Sequence, residues 1–256
     1  MKSVVCVKLV PDSSARISLD GEMVSWGDAP LILNPWDEYA MEAALRQKES
    51  LGGTVSVVTI GGQGACEALK RALAMGADEA LLVEDPLLTG MDTQGAARVL
   101  AAVICKIGGV EMAFFGRQSI DDESGVVAAQ TARLLGWAAL TLASVIQVEG
   151  RTVRVERSME EGRQVVTSLL PVVFSLTKDY GEPRYPSFMG IRKAANAAIP
   201  TWSLADLGLP PPHTIVERVQ VSLPSTREVT CEFITGSNVS EQAEALAEKV
   251  REEVRK

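Results

Sequence analysis

Phe114-Phe115-Gly116-Arg117-Gln118-Ser119-Ile120-Asp121-Asp122-Glu123-Ser124 is the stretch whose reading decides the fold. The apolar run from Met112 to Phe115 predicts a buried strand. Gly116 ends it, a polar loop follows, and a helical stretch runs from Ser124 to Leu135. A glycine at a strand's carboxyl end lets the backbone approach a ligand, and the N–H groups opening the next helix favour an anion such as phosphate. In an open parallel sheet that edge is where ligands bind. A nucleotide site is the first reading; an ordinary βα turn that binds nothing is the other. The loop has neither the P-loop lysine nor the G-x-G-x-x-G pattern. Its three acids, Asp121, Asp122 and Glu123, would repel phosphate through their side chains, or serve simply to stabilise a helix start through the macrodipole.

Outward from this stretch, apolar runs alternate with helical periods. Strands are expected over Val4–Val10, Thr54–Ile60, Ala80–Val83 and Val110–Phe115. Helices are expected over Asp37–Lys48, Ala65–Ala74 and Asp92–Ile107, and a hairpin over Ile17–Val24 around Asp20-Gly21. This alternation means βαβ units and a parallel sheet covered on both faces. From about Leu140 the texture changes. Ala143–Val148, Val153–Arg157 and Gln164–Leu169 read as an antiparallel ribbon, followed by a buried run, Pro171–Leu176. Gly181-Glu182-Pro183-Arg184-Tyr185-Pro186 is an ordered turn or loop, since its prolines exclude regular helix. Beyond Ala198, prolines at 200, 210, 211, 212 and 224 rule out long regular elements, and the chain ends in an amphipathic helix over Val239–Val254. Ala243, Leu246, Ala247, Val250 and Val254 share one of its faces, and Asn238 with Glu241 resembles a capping box.

The 256 residues suit one α/β domain with appendages or two small domains, and 46% hydrophobic content is ample for a core. A net charge of −8 argues against a nucleic-acid surface. No uncharged apolar stretch is long enough to span a membrane. The opening Met1–Lys8 is too short and too soon recharged for a signal peptide and reads as a first strand. Cys6, Cys66, Cys105 and Cys231 lack C-x-x-C spacing, which argues against zinc, clusters and a disulfide framework and fits a reducing cytoplasm. The single histidine, His213, follows Pro210-Pro211-Pro212, so a histidine-dependent acid–base site is not expected. No residue announces itself as a nucleophile beside its base, which favours a binding or carrier protein.

Several segments together resemble the β-subunit of electron transfer flavoprotein, over nearly the whole chain and in order. They are VVCVKLVPD at the start, Asn34-Pro35-Trp36-Asp37-Glu38, MGADEALLVEDP at 75–86 and GRQSIDDES at 116–124. VERSMEEGRQVVTSLLPVV at 155–173 and GEPRYPSFMGIRKA at 181–194 complete the set. The resemblance implies a Rossmann-like α/β domain of the adenine-nucleotide-binding (HUP-like) type over 1–198. It also implies an arm over 199–256, ending in a helix, that docks on an α-subunit holding one FAD. The implied function is an electron carrier between flavin dehydrogenases and an acceptor such as a quinone oxidoreductase. The second nucleotide, in this chain, is AMP in the respiratory branch. In the bifurcating branch it is FAD, reduced by NADH, an activity belonging only to the αβ complex.

By the family pattern that nucleotide would touch Cys6, Val7 and Lys8; Asn34, Pro35, Trp36 and Asp37; Ile60; and the loop Gly116, Arg117, Gln118, Ser119, Ile120, Asp121, Asp122, Glu123, Ser124, Gly125, Val126 and Val127. Asn34 could equally be a plain cap before Pro35. Thr89-Gly90-Met91-Asp92-Thr93 resembles the bifurcating branch, in which Asp92 and Thr93 sit against the FAD diphosphate, although Asp92 is also a good N-cap. Gly95-Ala96 there departs from the branch's Ala-Thr. Gly125-Val126-Val127-Ala128 stands where AMP-type chains carry Asn-Gln-Thr-Gly, which points to FAD. The RYPSFMGIRKA segment resembles the family's partner-recognition loop, with Phe188, Met189 and Lys193 as contacts. Its continuation has fewer lysines than usual, which weakens electrostatic steering. A free-standing nucleotide sensor of the universal-stress type is a third reading, and it leaves the arm and this loop unexplained.

Overall fold

The computed structural model describes residues 1–21, 23–216, 219–223, 225 and 231–254. They form two compact units, Met1–Val221 and Ser222–Lys256. The first holds β1 (Lys2–Cys6), β2 (Leu9–Pro11), β3 (Ser18–Asp20), β4 (Met23–Ser25), β5 (Leu31–Leu33), α1 (Pro35–Leu51), β6 (Thr54–Ile60), α2 (Cys66–Met75) and β7 (Glu79–Val83). It continues with α3 (Thr93–Ile107), β8 (Met112–Gly116), α4 (Val127–Leu135), β9 (Ala138–Glu149), β10 (Thr152–Met159), β11 (Gly162–Leu169), β12 (Val172–Leu176), α5 (Phe188–Ala195) and β13 (Thr201–Trp202).

One nine-stranded sheet organises it, in the order β11-β10-β9-β12-β8-β1-β6-β7-β13. From β9 across to β13 every neighbouring pair is parallel, and only β9-β10-β11 run antiparallel. Alternation along the central strands divides the core between two faces. Val5, Val57, Phe114 and Phe174 pack with α1 and α2 residues such as Met41 and Leu69. Val4, Val58, Phe115 and Val173 pack with α3 and α4 residues such as Ile104 and Ala132. Burying both faces is what makes these strands read as continuous apolar runs.

Several boundaries differ from the sequence reading, and four of the differences have an identifiable cause. The first strand breaks after Cys6, and Leu9–Pro11 pairs instead with β5. The helix expected from Ser124 begins at Val127, because Glu123 (φ 53°) and Gly125 (φ 64°) are left-handed and cannot continue a helix. The acids at 121–123 therefore lie before the helix rather than in its first turn. The ribbon's first strand begins at Ala138, since its first half pairs parallel with β12 before its second half joins β10. At the change of partner Leu142 is left-handed (φ 58°), its N–H donating to Ser175 Oγ, while Arg157 Nε donates to the Thr141 carbonyl. Finally, residues 199–221 lie within the first unit, with β13 extending the sheet beside β7.

The second unit contains α6 (Val239–Val254). Its start is capped as expected: Glu241 N–H donates to Asn238 Oδ1, and Ser237 N–H donates to Glu241 Oε2. Pro224, one of the prolines noted above, lies outside the described residues.

Candidate functional site

Strand order places a topological switch at the centre of the sheet. From β1 the chain proceeds outward through β6 to β7, and β8 then returns to the other side of β1. Ligands of open α/β sheets bind in the crevice beyond the carboxyl ends at such a point. The β1–β8 ladder closes at Cys6 opposite Phe115, so the next residues of both strands are released from mutual pairing.

Asp37 fills the gap. It lies in the first turn of α1 and is 5% exposed. Its Oδ2 accepts from the Lys8 backbone N–H (2.8 Å) and its Oδ1 from the Gly116 N–H (3.2 Å). Burial pushes its carboxyl up to about 7, against the opposing pull of the Lys8, Asn34 and Gly116 hydrogen bonds and the Lys8 charge. Burial, and then the Asp37 charge, also push the Cys6 thiol up. Gly116 is required here for space: a Cβ would fall on Asp37 Oδ1 and within 2.8 Å of Trp36 Cβ.

Asn34 precedes α1 but makes no side-chain cap to it. Its amide instead grips the loop after β8, Nδ2 donating to the Gln118 carbonyl (2.9 Å) and Oδ1 accepting from the Ile120 N–H (3.3 Å). Lys8, just beyond β1, holds the same loop, its Nζ reaching Asp121 (2.8 Å), Asp122 (3.2 Å) and Ser119 Oγ (3.4 Å). Two of the three acids thus face a lysine, and burial, which would raise Asp122, is outweighed by the Ser124 N–H and Lys8, leaving its carboxyl below the usual range. The Arg117 guanidinium lies 5.7 Å from the Trp36 ring centre. Glu123 and Gly125, both left-handed, turn the loop into α4. Among the described residues no side chain caps α4, so its first-turn N–H groups remain available at this edge.

Cys6, Val7, Lys8, Asn34, Pro35, Trp36, Asp37, Ile60 and residues 116–127 therefore come together along one edge of the sheet, at or just beyond the ends of β1, β6 and β8. Asp92 and Thr93 open α3, beyond β7. Asp92 is occupied: Oδ1 accepts from Gly95 N–H (2.8 Å), and Oδ2 from the N–H groups of Ile215 (2.9 Å) and Val216 (3.3 Å). Phe188, Met189 and Lys193 lie on α5, which packs on α2 with Gly190 against the Ala74 carbonyl. Phe188 and Met189 are 80% and 70% exposed, and Tyr185 88%.

Sequence reading missed two sets of residues. Thr59 is buried and donates to the Val7 carbonyl (2.8 Å), tying β6 to β1 just below the edge. Glu42, 4% exposed, accepts from Arg46 Nε (2.7 Å) and from the backbone N–H (3.1 Å) and Nε (2.8 Å) of Arg184, which also reaches Glu49. Burial would raise Glu42, but these bonds prevail and hold its carboxyl below the usual range. An i,i+4 spacing hints at Glu42–Arg46, but nothing local links α1 to residue 184. Elsewhere a groove of about 700 Å³ runs between Leu9, Leu31, Leu33 and Ile191, away from the 116–127 loop. Among the described residues no acidic, cysteine and histidine cluster could hold a metal, and no helix is long and apolar enough to cross a membrane.

Comparison with known proteins agrees with this architecture. The family model described as "Electron transfer flavoprotein domain" matches residues 27–207. Subunit CarD of the caffeyl-CoA reductase-Etf complex of Acetobacterium woodii is 37% identical over 98% of both chains. Electron transfer flavoprotein subunit beta of Thermoanaerobacterium thermosaccharolyticum is 36% identical over 98% of both, and that of Clostridium acetobutylicum 34% over 99% of both. A domain match across most of the chain, with relatives aligned end to end, leaves one conclusion: the chain belongs to the electron transfer flavoprotein family, as a β-subunit.

Proposed function

We propose that this β-subunit holds a nucleotide, FAD rather than AMP, at the β1–β8 edge and pairs with an α-subunit carrying a further FAD. The complex passes electrons between NADH or flavin dehydrogenases and an acceptor oxidoreductase by flavin-based bifurcation. The observation that carries the reading is the combination of a switch-point crevice, a glycine with no room for a side chain at its lip, and an uncapped helix start beyond it. The first-turn N–H groups of α4 and the turn at Glu123–Gly125 suit a diphosphate, and the Lys8 pairs draw Asp121 and Asp122 aside from it. A bound flavin supplies the one- and two-electron chemistry, and the chain's part is to place it and tune its surroundings. No side chain here needs to form a covalent intermediate.

FAD is favoured over AMP by Thr89-Gly90-Met91-Asp92-Thr93, and by Gly125-Val126-Val127-Ala128 where AMP-type chains carry Asn and Thr side chains. The relationship to a subunit of a caffeyl-CoA reductase-Etf complex supports a partner dehydrogenase acting on a CoA ester. That partner would meet Phe188 and Met189, whose exposure suits an anchor. The arm expected over 199–256 would dock on the α-subunit through the part that follows the first unit, beyond Val221. The deciding experiment is nucleotide release from the co-expressed αβ complex. Two FAD and no AMP per heterodimer support the reading, with bleaching by NADH as the next step. One FAD and one AMP overturn the FAD assignment and leave a non-bifurcating shuttle.

A further inference from the structure

We propose that Asp37 is a positioning residue: it sets the gap between the carboxyl ends of β1 and β8, and through that gap the affinity for the nucleotide, without touching the ligand. The inference rests on the nucleotide-site reading above. Three observations carry it. The β1–β8 ladder ends at Cys6 and Phe115, so the Lys8 and Gly116 N–H groups have no partner across the strands. Both are taken by the two oxygens of one carboxylate. The same carboxylate stands where a Cβ on Gly116 would fall, so its oxygens are enclosed rather than presented to the crevice. A pin of this kind holds the strand ends at one spacing, and the loop that follows Gly116 inherits that spacing through the Asn34 clamp on Gln118 and Ile120.

The pin is chemically switchable. An ionised carboxylate accepts both N–H groups, whereas a protonated one presents a hydroxyl to one of them. The groups facing Asp37 are Cys6 at the end of β1, Lys8 just beyond it, Asn34 ahead of α1, and Gly116 at the end of β8; Asp121 and Asp122 act on it only through Lys8. With the carboxyl pushed up to about 7, the pin is closed above neutrality and opens as the pH falls below it. The stability sign runs the other way. A raised acid pKa contributes stability below the ordinary carboxylate value, and that contribution is lost as pH rises through the folded value. Ionised Asp37 thus sets geometry at some expense of fold stability.

The test uses the αβ complex with Asp37→Asn, which keeps the shape but can accept only one N–H. Equilibrium binding of FAD and of AMP to complex stripped of its β nucleotide is measured from pH 5.5 to 8.5. FAD is the cleaner probe, because a phosphate monoester itself titrates near about 6. At pH 8 the variant should bind about ten-fold more weakly, the factor expected for one charge-assisted hydrogen bond. Wild type should lose a similar factor on acidification, and the variant should be flat. Thermal stability of the variant at pH 8 should match or exceed wild type, which a merely structural residue would not give. Amide exchange at Lys8 and Gly116 should quicken in the variant whether or not nucleotide is present. Equal affinity at pH 8, or an unchanged pH slope in the variant, overturns the proposal while leaving the site in place. Wild type that binds neither nucleotide overturns the site reading itself. Should the variant fail to fold, the wild-type pH profile for FAD decides alone, and a flat one overturns the proposal.

Discussion

Removing the Arg184 guanidinium should unfasten the loop ahead of α5 from α1, and the structure gives the size of the effect. Arg184 bonds α1 in three ways: its backbone N–H to Glu42 (3.1 Å), its Nε (2.8 Å) and one terminal nitrogen (3.3 Å) to the two oxygens of Glu42, and both terminal nitrogens to Glu49. In Arg184→Ala the backbone bond can persist, and Glu42 keeps Arg46, so the buried carboxylate is weakened in its pairing but not abandoned. The full cost of orphaning a buried charge, about 3–5 kcal/mol, is therefore an upper bound. Two side-chain bonds to Glu42 are lost, one short and one long, and with Arg46 still in place they set a middle value of about 2 kcal/mol. The Glu49 side chain is 58% exposed, so its pair with Arg184 adds about 0–1 kcal/mol after solvent screening. Urea unfolding should give about 2 kcal/mol for Arg184→Ala and less than about 1 kcal/mol for Glu49→Ala. For a chain of this size the first figure corresponds to roughly 4–8 °C in Tm. Both carboxyls are lowered in the fold, Glu49 by its Arg184 hydrogen bond and Glu42 by Arg184 and Arg46 in spite of its burial. Their stabilisation is thus present above the ordinary Glu value and lost as pH falls through the lowered values, so the gap between wild type and Arg184→Ala should shrink in acid. Equal costs for Arg184→Ala and Glu49→Ala, or a gap that widens in acid, would refute this account of the clamp.

Three other substitutions probe the edge and its surroundings. Gly116→Ala drives a methyl into Asp37 and Trp36, and should cost about 1–3 kcal/mol in urea unfolding together with loss of bound nucleotide from the purified complex. Asn34→Ala removes both loop clamps, and should speed amide exchange at Ile120 and cost about 1–2 kcal/mol, while leaving α1 helical by circular dichroism because Asn34 does not cap it. Asp92→Ala removes a true N-cap along with the bonds to Ile215 and Val216. It should cost about 1–2 kcal/mol near neutrality and progressively less in acid, because the Gly95 and Ile215 N–H groups hold the Asp92 carboxyl below its ordinary value.

The parts of this fold that sequence conveyed are those where one local signal dominates. Thr54–Ile60 is β-branched at every position but Ser56 and forms a strand over those residues; Asp92 caps a helix ending at Ile107 before two glycines. Boundaries were lost where distant residues intervene. Lys8 leaves the first strand because its N–H is taken by Asp37, twenty-nine positions on, and β9 starts early because β12 pairs with its first half. At the candidate site, membership of the edge was legible from strand-end position and from the family motifs, but individual roles were not. Asn34 is suited to capping by type and position, yet its amide is spent on the loop 84 residues away. The acids at 121–123 have the composition of a helix start, yet a left-handed Glu123 places them before it. Side-chain chemistry lists what a residue can do; only tertiary neighbours select among the options.

The two-residue strand Thr201–Trp202 has a consequence for how the chain is made. It pairs with Leu82–Val83, and the Leu82 and Glu84 N–H groups donate to the carbonyls of Pro200 and Trp202. Every other strand of the sheet precedes residue 177. During synthesis, then, β7 exists as a bare, hydrophobic sheet edge from the time its neighbours assemble until about 120 more residues have been added. Unprotected edges of this kind template intermolecular pairing. The last strand is too short to add much stability, and its value lies in shutting that edge. A chain ending at Ala198 would keep the whole candidate site at the ends of β1, β6 and β8 and still expose Leu82 and Val83 to its neighbours, so its failure would be seen as aggregation.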